Sequence, residues 1–180
     1  ISSAASDVYK RQMAFSDKTE LKGKFFNTTK ENFNRTMLIS SFSLTEISKE
    51  AQNLMDKSGG SILTLSYIGG ERTTPNYNVM GVAKAALECS VRYLSVDLGK
   101  KNIRINSLSS GPMRTLAGAA ISGARHVFRH SEKNSPLNKN PSLIEVSKSA
   151  LYLLSDLSSG VTGENHFVDG GYNIIAVPKE

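Results

Sequence analysis

Apolar positions recur at helical spacing in three stretches of the chain, and short apolar runs of strand length lie between them. Phe33, Met37, residues 39–42, Ile47, Ala51, Leu54 and Met55 mark the first helical stretch. Thr28 or Thr29 is placed to cap it, the Ser40-Ser41 pair and Ser43 to interrupt it, and Gly59-Gly60 to end it. Residues 61–66 (SILTLS) then read as a buried strand, and residues 69–78 as a loop. The helical period returns over 79–98 through Val82, Ala86, Cys89 or Ser90, Tyr93 and Leu94, and Gly99 stops it. Residues 102–108 (NIRINSL) form a second strand. Residues 113–139 lack a clean period, as mobile lids often do. Ser142 caps a helix through Ile144, Val146, Ala150, Leu151 and Leu154, and residues 166–168 make a last short strand before Asp169-Gly170-Gly171.

Helices that alternate with strands require parallel pairing, because a parallel neighbour is reached only by a crossover. The fold class expected is therefore α/β, a doubly wound parallel sheet of the Rossmann-like kind. Three strands stand against about six in a complete dinucleotide fold. No glycine falls in a G-x-G-x-x-G turn between a strand and a helix. The expectation is that the N-terminal half of the fold is missing, with residues 13–180 forming the C-terminal part of one domain and a substrate lid at about 113–139. Residues 1–12 (ISSAASDVYKRQ) have no signal-peptide core and are set aside as a non-native or disordered segment.

Composition narrows the classes further. The 180 residues include 22 Lys+Arg against 16 Asp+Glu, a net charge of +6, but the basic residues are scattered, which argues against a nucleic-acid partner. No apolar run approaches the ~18 residues that span a bilayer, so no membrane partner is expected. The single cysteine, Cys89, cannot close an internal disulfide and favours a reducing compartment.

The candidate chemistry lies between the first strand and the second helix. Tyr77 and Lys84 are seven residues apart, two turns of a helix, which places a phenol and an ammonium on one face beyond a strand's carboxyl end. A nearby cation favours phenolate, and such a pair suits carbonyl or enolate chemistry. The same spacing also describes an ordinary amphipathic surface. Arg125 and Arg129 lie one turn apart beside His126 and His130; a zinc site there lacks a third ligand, so no metal is expected.

Together with Ser66-Tyr67 and the Tyr77-x6-Lys84 spacing, the segments Asn76-Tyr77-Asn78-Val79-Met80-Gly81, Gly111-Pro112-Met113-Arg114-Thr115-Leu116-Ala117 and Val168-Asp169-Gly170-Gly171 carry a family resemblance. The sequence resembles the bacterial NADH-dependent enoyl-acyl-carrier-protein reductases, of the short-chain dehydrogenase/reductase superfamily. The resemblance runs from about Met13 to the C-terminus. It implies reduction of trans-2-enoyl thioesters in type II fatty acid synthesis, with NADH as cofactor, acyl carrier protein as the carrier of substrate, a homotetramer, and a cytoplasmic location.

By the same resemblance, Tyr77 would bind the thioester carbonyl and Lys84 the nicotinamide ribose. Tyr67 would orient substrate or relay a proton. Met13 would touch the cofactor, and Met113, Arg114, Thr115, Leu116 and Ala117 would hold its nicotinamide and pyrophosphate side. Ser16, Met80, Ile121 and Arg125 would meet substrate, Arg125 by steering an acidic carrier. The missing glycine turn leads to the expectation that the 180 residues alone are inactive. Two alternatives stand beside this reading: another short-chain carbonyl reductase, whose usual Tyr-Lys spacing is four, or a non-catalytic module that joins an oligomer.

Overall fold

The computed structural model describes residues 8–11, 14–55, 59–113 and 123–178. Among them, four parallel strands form one sheet in chain order: β1 (Val8–Arg11), β2 (Gly60–Ser66), β3 (Ile103–Ser110) and β4 (Asn165–Val168). The central pair runs in register from Gly60↔Ile103 to Ser66↔Ser109. β1 is a departure from expectation, since residues 1–12 were set aside from the fold. Val8–Arg11 instead pairs with residues 61–64 of β2. Four residues are too few for a period to be read from sequence, and what holds them is the open edge of β2, whose backbone groups need partners.

Five α-helices connect and cover the strands: α1 (Lys30–Met37), α2 (Ser43–Ala51), α3 (Asn78–Gly99), α4 (Ala124–Asn134) and α5 (Leu143–Leu154). Thr29 caps α1 through the amide of Asn32, and Ser142 opens α5 with a reciprocal capping box to Glu145. A π-helical turn, Leu38–Phe42, joins α1 to α2 where the Ser40-Ser41 interruption was expected. α2 stops at Ala51, earlier than the glycine pair. Inside the expected lid, α4 is a regular helix. Its two buried side chains are Ser131 and Asn134, so its inward face carries no apolar period to read.

Both faces of the sheet are covered. On one, Leu44 and Ala51 of α2 and Leu87, Val91 and Leu98 of α3 pack on Ile62, Ile103 and Ile105. On the other, Val146 and Leu153 of α5 pack on Leu63 and Leu108. Alternate residues of β2 therefore feed different cores. The strands advance across the sheet in one direction while the covering helix changes face between β3 and β4. The β2–α3–β3 and β3–α5–β4 crossovers are consequently of opposite hand, whereas crossovers of this kind are almost always right-handed. The chain changes faces at the carboxyl edge of the sheet. There Gly111 lies so close to Pro141 and Asp169 that a Cβ would approach their atoms to 2.8 and 3.1 Å.

Candidate active site

The carboxyl end of β2 and the start of α3 build one compact site. Tyr67 directly follows β2, and its ring meets that of Tyr77 edge to face, centroids 5.2 Å apart at 69°. Tyr77 does not lie within α3; it is the residue just before it, flanked by Asn76 and Asn78 with φ of +57° and +28°. Asparagine tolerates that left-handed backbone better than most residues, which gives the Asn-Tyr-Asn sequence a mechanical meaning. The Asn78 amide also anchors the turn by donating to the Glu20 carbonyl at 3.1 Å. A Cβ at Gly69 would sit 2.5 Å from Tyr77 Cδ1, so only glycine lets this loop close on the ring.

Lys84 is buried, and its Nζ donates to the Leu65 carbonyl at 2.7 Å. One turn further along α3, the carboxylate of Glu88 accepts from Ser66 Oγ, and both side chains are buried. Burial pushes the Tyr77 phenol well above its usual range, and Tyr67 and Glu88 add to the rise. Tyr67 is pushed up to about 12, chiefly by burial and then by Tyr172, against a hydrogen bond with Thr74. Burial lowers Lys84 to about 8, opposed by Glu88. This corrects the expected phenolate bias. Desolvation moves Tyr77 upward, so at neutral pH both tyrosines are hydrogen-bond donors.

A family model described as "Enoyl-(Acyl carrier protein) reductase" matches residues 4–173. The chain belongs to this family. Over 166 residues it is 60% identical to "Enoyl-[acyl-carrier-protein] reductase [NADH] 2" of Rhizobium meliloti (strain 1021), matching 92% of this chain and 62% of that protein. It is 50% identical to "Enoyl-[acyl-carrier-protein] reductase [NADPH] FabI" of Staphylococcus aureus (strain MRSA252), over 91% of this chain and 63% of that one. The fold is similar to a crystal structure of the Anaplasma phagocytophilum reductase in complex with NAD. The TM-score there is 0.90 at 51% identity, covering 96% of this chain and 65% of the other. The chain thus spans somewhat under two thirds of the length of these relatives.

Within the enoyl-acyl-carrier-protein reductase framework, the remaining sequence candidates fall in different places. Met80 is buried in the same small cluster as Tyr77, with Leu21 and Val79, and Tyr67 packs against it. Ser16 is buried too, but its hydroxyl donates to Asn32 Oδ1, which ties it to α1. Met113 packs against the α5 core, beside Leu63 and Leu108. Arg125 and Arg129 are exposed on α4. Gly123, at the start of that helix, lies beside Asn76: a Cβ there would be 3.3 Å from Asn76 Nδ2. Met13, Arg114, Thr115, Leu116, Ala117 and Ile121 fall outside the described residues.

The strand ends also fit a hydroxyl-rich nucleotide. Lys84 carries three donors, of which Leu65 takes one. Ser109 Oγ, at the end of β3 in register with Ser66, is buried without a partner among the described residues. Sequence reasoning missed Glu88. The clue was its i,i+4 spacing from Lys84, but such pairs are commonplace on exposed helix faces.

Proposed function

We propose that this chain carries the tyrosine–lysine part of a reductase site that acts on trans-2-enoyl thioesters of acyl carrier protein, with NADH, in fatty acid synthesis. The observation that carries the reading is the meeting of Tyr67, Tyr77 and Lys84 at the carboxyl end of β2, in a chain of this family. Tyr77, kept protonated by its burial, donates to the thioester carbonyl and stabilises the negative charge that develops on its oxygen. Lys84 holds the ribose hydroxyls of the nucleotide with the donors that Leu65 leaves. Bound NADH supplies the hydride for the β-carbon. Tyr67 orients the substrate, and Ser16, Met80 and Ile121 form the acyl side. Met13, Met113, Arg114, Thr115, Leu116 and Ala117 hold the nicotinamide side. NADH is our choice over NADPH because the relative at 60% identity is named for it.

Arg125 and Arg129, with Lys133 on the same helix, offer positive charge to an acidic carrier protein. A homotetramer is supported by the apolar side chains that the helices leave in solvent. Phe33, Leu38 and Phe42 of the α1–α2 run are 37%, 55% and 51% exposed, and Tyr93 of α3 is 75% exposed.

The test is loss of NADH absorbance with a crotonyl thioester, for this chain alone and for this chain joined to the part of the Rhizobium relative that it does not match. Tyr77→Phe is expected to cut turnover about a hundredfold to a thousandfold. Turnover untouched by both Tyr77→Phe and Lys84→Ala would sink the reading.

A further inference from the structure

The two glycines after β2 meet different partners. Gly69 closes on the Tyr77 ring, while a Cβ at Gly70 would lie 2.9 Å from Glu88 Oε1 and 3.1 Å from the Ala85 amide nitrogen. Two successive turns of α3 are likewise fastened to two successive residues of β2. Lys84 donates to the Leu65 carbonyl, and Glu88 accepts from the Ser66 hydroxyl. The next residue in the strand direction is Tyr67, whose ring packs on Tyr77. Every group of the site is thus at most one residue or one helical turn from the Ser66–Glu88 bond.

We propose that Glu88 is a positioning residue: its buried carboxylate, tied through Ser66 to the end of β2, is the counter-charge of Lys84 and locks the strand end that presents Tyr67 to Tyr77. Glu88 touches neither ring and is not itself a catalytic residue. The charged groups that face it are Lys84 and Arg92 from its own helix and Glu71 from the short turn after β2. Two cations and one competing carboxylate surround it. Burial works against its ionised form, and the Ser66 hydrogen bond and the two cations work for it. Removing the carboxylate leaves Lys84 buried with a carbonyl alone.

The inference rests on the reading of Lys84 as a site residue, but its test needs no turnover. Lysine 13Cε NMR on the 180-residue chain, with the Lys84 signal assigned by Lys84→Arg, follows the titration of that side chain, which begins from a midpoint of about 8. Glu88→Gln keeps the shape and the Ser66 partner and is expected to lower the midpoint by about one pH unit. Glu88→Asp, which retains the charge, is expected to bring it back toward the parent value. Ser66→Ala makes Glu88 harder to ionise and is expected to move Lys84 the same way as Glu88→Gln, by less. It serves as the reading if Glu88→Gln does not fold. A midpoint common to the parent and Glu88→Gln overturns the proposal, as does an aspartate variant no nearer the parent than the glutamine one, or, in the fallback, an unmoved Ser66→Ala. Absence of enoyl reduction with the midpoint shifted as expected would count against the reductase reading alone.

Discussion

The α1–α2 run and helix α3 cover the same face of the sheet, yet they turn opposite kinds of residue inward. α3 buries Val79, Ala83, Leu87, Val91 and Leu98, together with the two charged residues of the site. The earlier run buries Asn32, Thr36, Ser40, Ser41, Ser43 and Ser48 with only Leu44 and Ala51, and leaves Phe33, Leu38 and Phe42 outside. Its inward polar groups hold the loop at 14–17. Asn32 Oδ1 accepts from the Asp17 amide at 2.9 Å, and Ser40 Oγ accepts from the Phe15 amide at 2.9 Å and donates to its carbonyl at 3.1 Å. A helical period in sequence marks where a helix is. It does not say which side faces the core when the inward side is spent on hydrogen bonds and the outward side awaits another surface.

Four substitutions break or sharpen this contrast. Leu87→Ala empties a fully packed apolar position of α3 and is expected to cost about 2–5 kcal/mol in urea unfolding. Asn32→Ala strands the Asp17 amide and the hydroxyls of Ser16 and Thr36, for an expected loss of about 1–3 kcal/mol. Were the earlier run held by its apolar stripe, that change would be nearly silent.

Helix α5 provides a third case, held at its start by local chemistry. Ser142→Ala removes its capping box, at an expected cost of about 1 kcal/mol. The hydrogen bond from Lys139, then those from Ser142, hold the Glu145 carboxyl down to about 2, against 4.5 for the free side chain. Between those values the unfolded chain binds the extra proton, so stability falls as pH drops from 4.5 toward 2. Glu145→Gln flattens that part of the pH–stability curve. The smallest effect on the single chain is expected from Phe33→Ser with Phe42→Ser, within about 0.5 kcal/mol. The same pair of changes should lower the sedimenting mass if the outward stripe joins subunits; an unchanged mass would remove the support we draw from it.

These contrasts also show what the sequence could carry. β2, β3 and α3 were legible to within two residues, because buried β-branched runs and a 22-residue apolar period leave few alternatives. β1 and α4 were not. One is held by pairing with a neighbour 53 positions away, Val8 with Ser61, and the other buries polar side chains. In the site, Tyr67, Tyr77 and Lys84 were visible as a spacing. Glu88 was hidden because its meaning depends on a serine 22 residues earlier and on a glycine without a side chain to exclude it. The electrostatic direction was also out of reach, since a spacing shows the cation but not the loss of water around the phenol.

The π-helical turn at Leu38–Phe42 has a bearing on which sequence changes this chain tolerates. Each residue of a helix advances the azimuth by about 100°, and a π-turn holds one residue more than an α-turn of the same bonding pattern. It acts as a phase shifter, setting the azimuth of Leu44, Ser48 and Ala51 independently of Asn32 and Thr36. Deleting a single residue between 38 and 42 would preserve every chemical type on either side and yet swing the second half through more than a quarter of a turn. Length, more than composition, is the quantity under constraint in those five positions.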